Sequence, residues 1–211
     1  MTCKGSKSVD FDANATKNKI QFKIKLGLDN TSIAINDAGQ YYNLSKDFNK
    51  IAYKIGTEIE YVLPYNKNTW SIFVNPIYQN FESEKTYIKN DGFGVIGGDF
   101  TIQLKYNYSS LDIPFGVRHY YFLNPNSKLF FNIGYSYNLI SNAKLKFDYS
   151  DRTKDLRSSS RNNLLFGFGY TFNNKYSAEF MFNTKREILS DYLSWSVKQG
   201  SFGILLGYTL F

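Results

Sequence analysis

The chain has 211 residues, of which 43% are hydrophobic, 20% charged and 18% aromatic, and a formal net charge of +7. Its 18 Tyr and 19 Phe exclude a disordered chain, its one cysteine excludes an internal disulfide, and no run approaches the ~18 apolar residues of a spanning helix. The positive balance permits anionic lipid or nucleic acid as a partner without choosing between them.

Residues 1–18 are polar and aperiodic and read as a polar linker or the remnant of an upstream region, with one domain expected over 19–211. Cys3 has no apolar segment before it, so a lipoprotein signal is not expected there. No signal peptide stands ahead of the domain, which fits a cytosolic protein, a mature form or a piece of a longer chain.

From residue 19 the apolar residues recur every second position. Ile20, Phe22, Ile24, Leu26 and Leu28 alternate with Lys19, Gln21, Lys23, Lys25 and Gly27. Successive side chains of a strand point to opposite faces, so this is one apolar and one polar face. Seven further strands have the same period, over 51–63, 70–79, 111–118, 131–139, 164–172, 176–183 and 202–210. Their connections alternate in length. Pro64–Asn68, Asn124–Ser127 and Asn173–Asn174 are tight turns, whereas about 30–49, 82–99, 141–161 and 187–196 read as long polar loops. Eight strands with short turns at one end and long loops at the other predict an all-β fold, an eight-stranded antiparallel up-and-down transmembrane β-barrel with both termini at the short-turn end.

A soluble, lipocalin-like ligand-binding barrel has the same alternation, with its apolar face inside. Three features favour a membrane. So many Phe, Tyr, Leu and Ile side chains would overfill the narrow interior of an eight-stranded barrel, whereas the Gly, Ser, Asn and charged face fits it. Aromatic residues near strand ends (Tyr61, Trp70, His119, Tyr121 and Phe172) suit an interfacial girdle. The ending Gly207-Tyr208-Thr209-Leu210-Phe211 resembles the terminal assembly signal of outer-membrane barrels, with Phe211 one place out of phase with the alternate set that includes Tyr208. That resemblance implies the barrel-assembly machinery as a partner.

The segments Glu60–Trp70, Asn75–Lys85 and Leu111–Phe122 are similar to a family of flavobacterial outer-membrane β-barrels, a likeness that covers most of 19–211. It implies a Gram-negative, Bacteroidetes-type origin, a porin-like barrel in the bacterial outer membrane, and an upstream periplasmic domain of which 1–18 would be the tail. It implies no agreed activity.

Parity places Lys23, Lys25, Lys54, Arg118 and Lys185 inside against Glu58, Glu60, Asp112 and Glu179, a nearly balanced set that predicts a salt-bridged lumen. The segment 141–161 carries Lys144, Lys146, Arg152, Lys154, Arg157 and Arg161 and reads as a solvated loop or as a contact for lipopolysaccharide phosphates and outer-membrane lipids. Catalytic residues are not expected. His119 is the one histidine and has outward parity, and no G-x-S-x-G or phosphate loop exists. One His and one Cys cannot build a transition-metal shell, so no metal or cofactor is expected. Nucleic acid is not expected, because the basic residues divide between lumen and loops. The expected role is a structural, surface-interaction or anchoring module. A lipid-modifying barrel enzyme with an outer-loop active site stays open as an alternative.

Overall fold

The computed structural model describes residues 19–37, 45–89, 100–149, 152–157, 162–191 and 195–211. Ten strand segments follow in order: β1 (Ile20–Asp37), β2 (Ser45–Val62), β3 (Trp70–Val74), β4 (Ile77–Lys89), β5 (Phe100–Asn124), β6 (Ser127–Tyr149), β7 (Arg152–Arg157), β8 (Asn163–Phe172), β9 (Tyr176–Glu187) and β10 (Trp195–Thr209). Every pairing is antiparallel.

These segments make eight staves. β3 and β4 both pair with β2 and β5, and are one stave interrupted at Asn75-Pro76. A proline has no N–H for the ladder, so the pairing breaks there. β7 and β8 both pair with β6 and form a second divided stave. The ring closes where β1 pairs with β10, from Lys23 opposite Thr209 to Asp37 opposite Trp195. Closure satisfies the backbone without leaving an unpaired edge, as a lipid-embedded sheet requires. At the base of this seam Phe22 and Leu210/Phe211 exchange backbone hydrogen bonds of 3.0 and 2.8 Å, and the Phe22 and Phe211 rings lie 4.8 Å apart.

The tight turns follow from their residues. Asn173 and Asn174 have φ of 51° and 52°, both left-handed, the combination of a type I′ hairpin. Asn66, Lys67 and Asn68 are left-handed as well, in the short 3-10 turn between β2 and β3.

The apolar residues face outward. Ile24, Leu26 and Leu28 on β1, Phe166 and Phe168 on β8, and Ile204 and Leu206 on β10 are exposed, Leu206 at 60%, while Glu58 and Glu60 are wholly buried. A water-soluble barrel has the reverse arrangement, so the lipocalin-like reading fails on the direction of the faces. The fold is an eight-stranded antiparallel up-and-down transmembrane β-barrel.

Among the described residues, three of the four long loops expected from sequence are largely strand. β1 runs on to Asp37, β2 starts at Ser45, β4 reaches Lys89, β5 starts at Phe100, and β6 with β7 makes a paired ribbon within 141–161. The apolar alternation stops because the lipid stops, but the backbone ladder continues. Above the band the two faces exchange character. On β1 the outward residues become Asn30, Ser32 and Asn36, and the buried inward ones become Ile33 and Ile35. Inside this upper part Phe81, Tyr106 and Tyr108 cluster at ring separations of 5.2 to 6.1 Å.

Candidate functional site

The barrel lumen concentrates the charged groups, and it is built by strand parity. Lys23 and Lys25 come inward from β1, Glu58 and Glu60 from β2, Arg118 from β5 and Glu179 from β9, all buried. Arg118 Nη1 donates to Glu58 Oε1 and Glu60 Oε2, each at 2.7 Å, and Nη2 donates to Glu58 Oε2 at 2.9 Å. Lys23 donates to Glu58 at 2.9 Å and also pairs with Glu60. Lys25 pairs with Glu58 and donates to Glu179 at 2.7 Å.

Neutral groups complete the cluster. Asn132 on β6 accepts from Arg118 Nε and donates to Glu179 Oε1, both at 2.7 Å, and so bridges the two. Ser71 donates to Glu60 at 2.5 Å, and the Tyr120 hydroxyl also donates to that carboxylate. The Arg118 guanidinium stacks 4.5 Å from the Phe130 ring centroid, and Lys128 places its ammonium 3.9 Å from that of Tyr120. Buried charges survive desolvation only when partnered in this way.

Two inward glycines make room for this packing. A Cβ on Gly167 would come within 2.6 Å of Glu179 Oε1, and one on Gly169 within 2.2 Å of the Phe130 ring. Small residues on β8 thus face large ones on β6 and β9 across a narrow lumen.

Above the ion-pair layer, Phe73, Ile77, Leu165, Met181 and Leu205 form an apolar layer. A second polar layer follows. Arg186 on β9 donates to Asp112 Oδ1 and Oδ2, each at 3.0 Å, and to the Tyr108 hydroxyl at 2.5 Å. Gln79 donates to Asp112 at 3.1 Å and Asn138 donates at 2.6 Å. Lys54 pairs with Asp29, that carboxylate's one partner among the described residues. The void between Asp112, Arg186, Lys54 and Asn163 is about 20 Å³, the space of a single water.

Eight of the nine lumen charges expected from sequence are inside, and they meet in these layers. Lys185 is a correction, because it is exposed on the outer face and Arg186 points inward in its place. The cause is a β-bulge. Arg186 pairs with Gln199 and Asn183 with Ser201, so Thr184 and Lys185 share the single residue Gly200. One extra residue reverses the parity beyond it. Asp29, between Leu28 and the loop expected from about 30, and Lys128, three residues before the strand expected from 131, are also buried although neither is in the lumen set expected from sequence. Both have the inward parity of their strands.

The expected girdle residues lie on the outer face. Trp70 and His119 are register partners on β3 and β5, with rings 4.6 Å apart and edge-on, and Tyr61, Tyr121 and Phe172 are exposed. Tyr208 lies 5.5 Å from Tyr176. In the 141–161 segment, Lys144 pairs in register with Arg157, Lys146 with Asp155, Lys154 with Phe147 and Arg152 with Tyr149, so five of the six basic residues stand on a strand ribbon and not on a loop. Arg161 lies outside the described residues. Among the described residues, no group of three or more His, Cys, Asp or Glu is placed to hold a metal ion.

No family model matches the chain, and no curated protein matches it. Solved structures similar to it are outer-membrane proteins. Ail, the attachment invasion locus protein of Yersinia pestis, in complex with the heparin analogue sucrose octasulfate, is 13% identical over 90% of this chain and 100% of its own, with a TM-score of 0.41. OprG from Pseudomonas aeruginosa is 14% identical over 90% and 95%, with a TM-score of 0.42. The outer membrane protease OmpT from Escherichia coli is 11% identical over 92% and 98%, with a TM-score of 0.41.

Proposed function

We propose that this protein is a closed, non-conducting barrel of the bacterial outer membrane that acts as an anchoring or surface-interaction module. The observation that carries the reading is the filled lumen. Two layers of partnered charge and one apolar layer occupy the described lumen, and the void beside Asp112 and Arg186 is about 20 Å³, too small for a solute. A barrel of this size conducts only if its interior empties. The apolar band holds the module in the bilayer, the paired ribbons rise from one end, and residue 19 leaves from the other, where an upstream periplasmic domain would join. The carboxy-terminal strand is the element offered to the barrel-assembly machinery, and lipopolysaccharide and the other outer-membrane lipids are its surroundings. The likeness of residues 60–70, 75–85 and 111–122 to flavobacterial barrels supports a Bacteroidetes host.

Reconstitution of the full chain into lipid vesicles and planar bilayers tests this reading. The expected result is a heat-modifiable, protease-protected species with no conductance above the protein-free baseline. Steady conductance would overturn the closed lumen, and failure to insert would overturn the membrane role.

A further inference from the structure

The bulge that turns Arg186 inward has an opposite effect on its neighbour. Lys185 is driven out onto the wall, where its Cγ would lie 3.0 Å from a Cβ on Gly200, so its stem covers that glycine. Lys198 is exposed on the same face of β10, one outward position above Gly200. The two lysines are therefore diagonal neighbours on adjacent strands, a spacing of about 7–8 Å for such pairs. Neither has an ion-pair partner among the described residues. Glu187, in register with Lys198, accepts from Ser196 Oγ at 2.7 Å and from the Val197 amide at 2.6 Å, contacts that hold its carboxylate against the β10 backbone.

Directly below them the wall is concave. One outward step down from Gly200 is Phe202, at the head of a groove of about 800 Å³ that runs across β10, β1 and β2 past Phe180, Ile204, Leu28 and Tyr53. Phe180 and Phe202 line its β9–β10 end with rings 6.2 Å apart. The β4–β5 wall differs: it presents Glu82 and Glu84, with Lys105 paired to Glu84 at 2.9 Å. A positive pair just above an apolar groove has the chemistry of a lipid with a charged head and a buried chain.

We propose that the β9–β10–β1 wall binds a phosphate-bearing acylated lipid of the outer leaflet, its phosphate on Lys185 and Lys198 and an acyl chain along the groove headed by Phe202. Lysine serves a phosphate as a compact point charge with three donors, so no bidentate geometry is needed. The site is separate from the basic residues of 141–161, and it rests on the outer-membrane reading above for which leaflet the lysines face.

The test is a native mass-spectrometry titration of the full, detergent-folded chain with diphosphorylated lipid A, with dephosphorylated lipid A and with inorganic phosphate. The wild type should retain diphosphorylated lipid A. K185Q/K198Q should bind it roughly thirtyfold more weakly, from two lost juxtamembrane charges, and dephosphorylated lipid A should bind the wild type as weakly. K175Q, at the tight-turn rim, should bind as wild type, and heat-modifiability verifies that each variant is folded. Equal binding by K185Q/K198Q and wild type, or equal loss in K175Q, would overturn the site. Full competition by inorganic phosphate would overturn the lipid assignment, because it would mean an anion site without a chain. Insertion without lipid preference sinks this proposal alone, whereas failure to insert sinks the outer-membrane reading.

Discussion

Arg118 and Glu58 form a bidentate pair across the lumen, from β5 to β2, with two parallel N–H···O contacts of 2.7 and 2.9 Å. Both side chains are almost completely removed from solvent. Replacement of Arg118 by Met keeps the volume and strands two carboxylates. Loss of one partner of a buried pair costs about 3–5 kcal/mol, and the remaining contacts of Glu58 and Glu60 with Lys23 and Lys25 place this variant at the lower end. Urea titration of the bilayer-inserted barrel, followed by intrinsic fluorescence, should show the midpoint fall. An unchanged midpoint would mean that Arg118 contributes nothing net to the lumen.

The outward face should respond to depth. Phe166 and Phe180 are mid-strand and exposed, and Phe172 ends β8 at the tight turns. Lys at a lipid-facing midplane position costs about 2–4 kcal/mol, falling to about 0–1 near the interface. F166K and F180K should therefore reduce the folded fraction in vesicles, read by heat-modifiability, and F172K should change it little. Normal insertion of an F166K/F180K double variant would contradict a lipid-facing wall.

Gly169 is a steric test of the lumen. A Cβ there meets the Phe130 ring at 2.2 Å and the Ala178 carbonyl at 2.6 Å. Gly169→Ala should destabilise by about 1–3 kcal/mol through overpacking. Shrinking the neighbour in Gly169→Ala/Phe130→Leu should recover part of the loss, which distinguishes a clash from a lost backbone freedom. Thermal melts by circular dichroism decide between the two.

Asn174 holds the β8–β9 turn and ties it to the next one, with its amide donating to the Asn126 carbonyl and its side chain to the Pro125 carbonyl, both at 3.0 Å. A β-branched residue in its left-handed conformation is strained by about 1–2 kcal/mol, and the side-chain bond is lost as well. Asn174→Val should lower the melting temperature. Asn174→Gly, which keeps the backbone geometry, should lower it less.

Within the lipid band the alternation made the eight staves and eight of the lumen charges readable, because lipid outside and charge inside impose period two on each strand. What was not readable has two physical sources. The first is the bulge at Thr184 and Lys185, an insertion of one residue that leaves no mark in composition yet moves Arg186 to where Lys185 was expected. The second is the exchange of faces above the band. Leu28 points out and Ile33 points in, both apolar, so the pattern changes phase within a single continuous strand. A search for one phase reads the upper half of β1 as loop, although its inward residues are as buried as any in the lumen.

The β1–β10 seam also bears on how the barrel forms. Its partners, Lys23 with Thr209 and their neighbours, are nearly a full chain length apart in sequence, whereas most other walls join adjacent segments. Such a contact forms only after the greatest loss of chain entropy and is rewarded last. The ring is therefore cooperative. A chain stopped before β10 would hold seven staves with two raw edges, and every amide of β1 that faces β10 would be left in lipid without an acceptor. Nascent or truncated forms would need a surrogate strand beside β1 until the carboxy terminus arrived, and the release of that surrogate would mark completion of the fold.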